Sequence, residues 1–429
     1  MSCACWYNGY ARWTIRFSDE RADEELVMAM LLDGVRVLDF TQYVAGSGIT
    51  RLMAELGAEI IKVEIAPVGD PARLIPFIRD GRSGYFVQQN RGKQSLCVDF
   101  KHPETLELLR ELVPHCDVVV ENFGPGVLEK RGLDYPHLRE LNPKIIMASV
   151  SAYGRESLLS HKTGYDWIIQ AFAGFMHMTG PVDGPPHPIG LALLDVNASV
   201  HGFAAVGYAL YHRLRTGEGQ YMDLSMVDTA FHMHDLNVHG PSVTNGEFKP
   251  HRMGIHHQQI FPFGVFKGPT GYLCVAALQL QWKNVCECIG RLDLVNDERY
   301  DDGLKRATRR DELIPIIEGW MASLPTNEAV LDALDRHRVP ATAVLSPADA
   351  KTHPYFRDRG TLRTVPDPIL GEIDIPGFPF RFSAQPQLPA LQAPLLGEHN
   401  EEILTRVLGY SMEQTADLTR RGVLLQRPC

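Results

Sequence analysis

Short apolar runs alternate with stretches of helical periodicity through the first half of the chain. Residues 35–40 are mostly apolar, a Gly-containing loop and a helical stretch follow to about Gly57, and a second run spans 59–64, the pattern of a β-α-β unit. The alternation continues with strand 95–100, helix 103–113 opened by a proline, and strands 117–121 and 144–150. Such a pattern predicts a parallel sheet covered by helices on both faces, with ligands at the carboxyl ends of its strands. Those ends are 41–48, 65–73, Lys101, 122–126 and 151–154.

A further apolar run, 191–194, leads into a long helical stretch, 196–214, that ends on Arg213, Arg215 and Gly217. Asp195 sits at the junction. From about Gly240 the sequence becomes loop-rich, and runs 261–266 and 272–276 flank Gly268-Pro-Thr-Gly271 as a hairpin. An apolar run returns near Val339, and a Pro-rich connector, 385–394, leads to two C-terminal helices, the second opened by Ser411 with Gln414 as a capping box. The expected fold class is α/β, a large Rossmann-like parallel-sheet domain plus a smaller α+β domain. The expected division is an N-terminal extension 1–30, the first part of the large domain 31–225, a linker 226–250, the small domain 251–325, and a return linker with the rest of the large domain 326–429.

Charge narrows the classes of partner. Asp plus Glu number 52 against 42 Lys plus Arg, a net charge of −10, which argues against nucleic acid and anionic membranes as partners, so an anionic ligand needs a local basic patch. No apolar stretch is long enough to span a bilayer. Cys3, Cys5, Cys97, Cys116, Cys274, Cys286, Cys288 and Cys429 lack the spacing of a disulfide framework or a zinc site, which suggests a reducing compartment and no metal. Residues 1–29 lack the apolar core of a secretory signal, so the cytoplasm is the expected location. They read either as a loosely packed extension or as translation upstream of a start at Met28 or Met30.

Four groups of residues have chemical potential, and each has a plain alternative. Gly46-Ser-Gly48 with Glu64 imitates a dinucleotide fingerprint, but Arg51 stands where the third small residue belongs, so a tight turn competes with nicotinamide binding. Asn90-Arg-Gly-Lys93, Lys101, the Gly-containing stretch 121–126, Lys130 and Arg131 place cations and flexible backbone near strand ends, as a phosphate cradle or as ordinary surface. Asp195 reads as a helix N-cap, or as an ionised nucleophile with Gly190, Ala192, Ala198 and Gly202 leaving room for a thioester. His232, His234 and His239 do not complete a metal triad on a helix spanning 228–239, whereas His256 and His257 sit in a Gly-flanked loop fit to line a substrate pocket.

Together these segments resemble the family III CoA-transferases, the CaiB/BaiF family, over 31–422. The resemblance is carried by Leu32-Asp-Gly-Val-Arg-Val-Leu-Asp-Phe40, Leu56-Gly-Ala-Glu-Ile-Ile-Lys-Val-Glu64, Gly69-Asp-Pro-Ala-Arg73, Val120-Glu-Asn-Phe-Gly-Pro-Gly126, Gly164-Tyr-Asp166, Gly190-Leu-Ala-Leu-Leu-Asp195 and Pro394-Leu-Leu-Gly-Glu-His399. It implies CoA transfer from an acyl-CoA donor, succinyl-CoA by family analogy, to a carboxylic acid. Asp195 would be the covalent catalyst, passing through aspartyl anhydride and aspartyl-CoA thioester, with Tyr165 and Asp166 as its neighbours. It also implies CoA binding by Val44, Ala45, Arg73, Val98, Asp99, Phe100, Lys101, Asn122, Phe123, Gly124 and Lys130, no cofactor beyond CoA itself as substrate, and an interlocked homodimer.

The sequence departs from that pattern in places. The formyl-CoA branch has a glutamine two residues after a histidine in the first loop and a poly-glycine loop over the site; here stand Gln42, Val44 and Met253-Gly-Ile-His-His257, which sets formyl and oxalyl transfer aside. An arginine commonly follows the glutamate of the second strand, where this chain has Ile65. The racemases of the same fold carry a histidine where this chain has Tyr165, and a phenol titrating near pH ~10 is a poor base at neutrality. 2-Methylacyl-CoA racemisation, an NAD-dependent oxidoreductase and a non-enzymatic CoA-binding protein are the alternatives.

Overall fold

The computed structural model describes residues 30–426, so the expected extension 1–30 lies, but for Met30, outside the described residues. Six strands form one fully parallel sheet in the spatial order Lys93–Val98, Glu59–Ile65, Arg36–Phe40, Val118–Glu121, Ile146–Ser151, Tyr221–Ser225. Numbered along the chain this is 3-2-1-4-5-6, the doubly wound order, in which the chain reverses its direction of travel between the first and fourth strands.

Both sheet faces are buried, which is why the strands read as continuous apolar runs. Val37, Ile60, Val118, Val120, Ile146 and Ala148 face one layer, built on helices Ser47–Glu55 and Leu193–Thr216. Leu38, Ile61, Val119 and Met147 face the other, where helix Pro103–Leu112 packs with C-terminal helices Asn400–Leu408 and Met412–Arg420. The Ser411–Gln414 capping box forms as read, each residue bonding the other's backbone N–H.

A separate core gathers Phe261, Phe266, Leu273, Trp282, Leu313, Ile317, Val330, Leu334 and Val339 around an antiparallel sheet of Phe263–Gly268, Gly271–Ala276 and Ala341–Ala343. The expected boundary at 325 is therefore too early. Helix Asn327–Arg336 and the run at Val339 complete this smaller core, and the return to the large unit comes later. It comes at hairpin Leu362–Asp367/Gly371–Pro376, anchored by the buried Arg82–Asp367 pair. The proposed helix 228–239 is also broken, into Met226–Phe231 and His239–Val243.

Candidate active site

The crevice of a doubly wound sheet opens where its strand order reverses, and here two loops are locked together at that point. Asn122 Oδ1 accepts the Gln42 N–H at 2.8 Å, and its Nδ2 donates to the Gln42 carbonyl at 2.8 Å. Tyr43 follows in the left-handed region, φ 59°, with its N–H donating to Asp70 Oδ1 at 3.2 Å. Ser199, on the long helix, donates to the carbonyls of Val44 at 3.1 Å and Ala45 at 2.9 Å.

The two glycines of the first loop serve this packing. A Cβ on Gly48 would lie 2.4 Å from Ser199 Oγ, and one on Gly46 would lie 2.6 Å from Thr41 Cγ2. Glu64, the acid expected of a dinucleotide site, is buried and engaged by Arg73 at 2.6 Å and by Ser95 Oγ at 2.6 Å. The nicotinamide reading loses its residues to internal contacts.

Asp195 lies inside a helix. Leu193–Thr216 begins two residues before it, so the run 191–194 is partly helix, and Ala192 at the N-cap supplies no side-chain acceptor. Asp166 takes that part from another element: its Oδ2 accepts the Leu194 N–H at 2.6 Å and the Asp195 N–H at 3.1 Å, while Gln170 Nε2 donates to its Oδ1 at 2.5 Å. The Asp195 carboxylate is left with no hydrogen-bond or ion-pair partner among the described residues, half-buried in the wall of a cleft of about 220 Å³. Burial and then the charge of Asp166 push its carboxyl up from 3.8 to about 7, which corrects the expectation that a helix N-terminus keeps it ionised. Ala198 and Gly202 face the core, Gly202 against Ile49, and make no room for substrate.

The cleft brings together Gln42, Tyr43, Val44, Ala45, Asn122, Phe123, Gly124, Tyr165 and Asp195. Tyr165 is exposed and meets Tyr43 edge-on at 6.3 Å. Val98, Asp99, Phe100, Lys101 and Lys130 lie off the cleft. Val98 is buried in its strand, Asp99 Oδ1 accepts the Lys101 N–H at 2.9 Å, and Lys101 and Lys130 are exposed. Phe100 connects them to the cleft, its ring 6.4 Å from Phe123 and under the Arg131 guanidinium at 5.3 Å. Arg73 is occupied by Glu64 and stacks on Phe86 at 3.6 Å.

His256 and His257 pack on the strand Phe263–Gly268 of the smaller core and do not line this cleft. His256 is buried between Phe261 and Phe266, and His257 stacks on Phe263. Burial holds both imidazoles below their ordinary pKa. The stretch Asn90-Arg-Gly-Lys93 also turns inward, Arg91 pairing with Glu55 at 2.5 Å and Lys93 with Asp39 at 2.9 Å, so it is no phosphate cradle.

Sequence reading missed two residues of the cleft and a third near it. Arg155 and the exposed Lys162 line the cleft. Tyr85 is pushed up to about 12 by burial and then by the negative charges of Asp195, Asp70 and Asp166, so it stays a hydrogen-bond donor. An aromatic inside the short helix Gly84–Asn90 reads as core, and no spacing rule flags it.

A carboxylate unpaired among the described residues, on a helix turn in the crevice of a doubly wound sheet, defines the setting: an α/β fold with its ligand crevice at the strand-order reversal. The chain belongs to CoA-transferase family III, whose pattern matches residues 32–400, and it is a CoA-transferase. It is 39% identical over 384 residues to a succinyl-CoA:mesaconate CoA-transferase of Haloarcula hispanica, covering 87% of this chain and 95% of that protein. It is 33% identical over 398 residues to the succinyl-CoA:glutarate CoA-transferase of Mus musculus, covering 92% and 90%. Among solved structures, a CaiB/BaiF family protein from Brucella suis superposes with TM-score 0.76 at 32% identity, covering 88% of this chain and all of that one. No described helix is long and apolar enough to cross a membrane, and no group of three or more His, Cys, Asp or Glu among the described residues is placed to hold a metal.

Proposed function

We propose that this enzyme moves CoA from succinyl-CoA to a second carboxylic acid through covalent intermediates on Asp195. The observation that carries the reading is the partnerless Asp195 carboxylate in the cleft wall. The carboxylate attacks the thioester carbonyl, the C–S bond breaks, and a mixed aspartyl anhydride forms with CoA thiolate released. The thiolate attacks the aspartyl carbonyl, expelling the donor acid and leaving an aspartyl-CoA thioester. The acceptor carboxylate then runs both steps in reverse, so no oxidant, reductant or net proton is needed.

Succinyl-CoA as donor is supported by relatives named for it at 39% and 33% identity, and a dicarboxylic acceptor by the same names. CoA lies along Val44, Ala45 and the loop 122–124, with its phosphates toward Lys101, Lys130 and Arg131 in place of the arginine that Ile65 replaces. Tyr165, in the cleft wall with Asp195, lies beside the reacting carbonyl. The enzyme works as an interlocked homodimer, a reading supported by the exposed Val196, Val200, Tyr208, Tyr211 and Leu214 on the nucleophile helix, an apolar surface that a monomer rarely leaves open to water.

The test incubates the protein with succinyl-CoA and a panel of mono- and dicarboxylic acids, and separately with a 2-methylacyl-CoA and no acid, in deuterated water, reading products by mass spectrometry. New acyl-CoA appearing only with an acceptor present supports transfer. Deuterium entering the acyl α-carbon of a 2-methylacyl-CoA without acceptor identifies the racemase instead.

A further inference from the structure

We propose that Arg155 is a positioning residue for acyl-CoA, holding the loop 122–124 in its binding shape through the Glu121–Arg155 pair. The inference rests on the proposal that CoA lies along that loop.

Arg155 is placed independently of any ligand. It follows Gly154, φ 85°, just beyond strand Ile146–Ser151, and its backbone N–H donates to Asp223 Oδ2 at 2.7 Å. Its guanidinium donates to both oxygens of Glu121, at 2.7 and 2.9 Å, and to the Phe123 carbonyl at 2.8 Å. Glu121 Oε2 in turn accepts the Phe123 N–H at 2.9 Å. Both backbone polar groups of Phe123 are thus tied to one ion pair, the N–H to the carboxylate and the C=O to the guanidinium.

Arg155 also divides two cavities. On one side is the Asp195 cleft. On the other is a cavity of about 300 Å³ lined by Glu121, Tyr135, Ser149 and Tyr221 among others, and the two share only Gly124 and Arg155. Removing the guanidinium merges them and frees the Phe123 carbonyl. It also strips Glu121, only 2% exposed, of its cation. Burial already pushes the Glu121 carboxyl above its ordinary pKa against the pull of Arg155, so the stranded acid takes up a proton and the loop loses its anchor.

The consequence is specific: affinity for CoA falls while the chemistry at Asp195 continues once the site is filled. The test measures free-CoA binding by calorimetry and the KM-against-kcat split for succinyl-CoA in wild type, Arg155→Ala, Arg155→Lys and Arg155→Ala/Glu121→Gln. Arg155→Ala is expected to weaken CoA binding and raise KM about tenfold, the loss of one charge-assisted contact, with kcat within about threefold. Arg155→Lys, which keeps the charge and part of the hydrogen bonding, gives a smaller loss and serves if the alanine variant does not fold. The double variant, with no stranded acid, binds CoA no worse than Arg155→Ala. Folded Arg155 variants that bind CoA like wild type, or lose kcat with KM unchanged, overturn the inference while leaving the proposed function intact. A wild type that neither binds CoA nor turns over succinyl-CoA overturns both.

Discussion

Asp39 and Asp195 are both carboxylates drawn out of water beside the loop 41–48, and they differ in what faces them. Asp39 is fully buried, receives Lys93 Nζ at 2.9 Å, and accepts hydroxyls from Thr41 at 2.5 Å and Thr50 at 2.7 Å. Burial pushes its carboxyl up, but Lys93, Lys62 and those hydroxyls together pull it further down, to about 2. Asp195 has no ion-pair partner among the described residues, and the charge of Asp166 repels it. The first region uses buried ion pairs to fix a loop in one shape. The second leaves a carboxylate bare, at a cost in folding free energy.

The largest way to break this contrast is Asp195→Asn, expected to slow CoA transfer by at least about 10³-fold with the chain still folded, read by steady-state assay. Lys93→Met attacks the other side. It strands Asp39 and should cost about 3 kcal/mol or more in urea unfolding. Asp39 also sets a sign: because its folded pKa is lowered, its stabilisation is present above about pH 4 and lost as pH falls toward 2, and that acid dependence should shrink in Lys93→Met.

The third prediction concerns protons on Asp195. With its carboxyl near 7, kcat/KM should fall about tenfold per pH unit below that value, and Asp166→Asn, which keeps an acceptor oxygen but removes the charge, should move the limb to lower pH. The smallest effect is on stability. A carboxyl raised in the folded state opposes folding when ionised, so Asp195→Asn should gain nothing below about pH 4, gain progressively up to 7, and level off above it. Partial solvent access keeps that gain to about 1 kcal/mol by thermal unfolding.

The sheet was legible because strands buried on both faces leave apolar runs, and the family because several of its segments stand in order along the chain. Strand Tyr221–Ser225, at the sheet edge, was missed because Tyr221, Asp223 and Ser225 break the run with polar groups. The part played by Asp166 was hidden because the backbone it caps lies 28 positions away. Gly46-Ser-Gly48 and Asn90-Arg-Gly-Lys93 misled for a shared reason: glycine at a close contact and a cation near a strand end look the same whether the neighbour is a phosphate or the protein itself. Val339 misplaced a boundary because an apolar run shows that a segment is buried, not which core buries it.

The most direct test of the central claim is the intact mass of the protein after incubation with succinyl-CoA and no acceptor, beside Asp195→Asn. The account predicts a CoA-sized adduct on wild type that hydroxylamine removes and the variant lacks. Wild type that turns over succinyl-CoA with an acceptor yet never carries an adduct, or a variant that carries the same adduct, would contradict it.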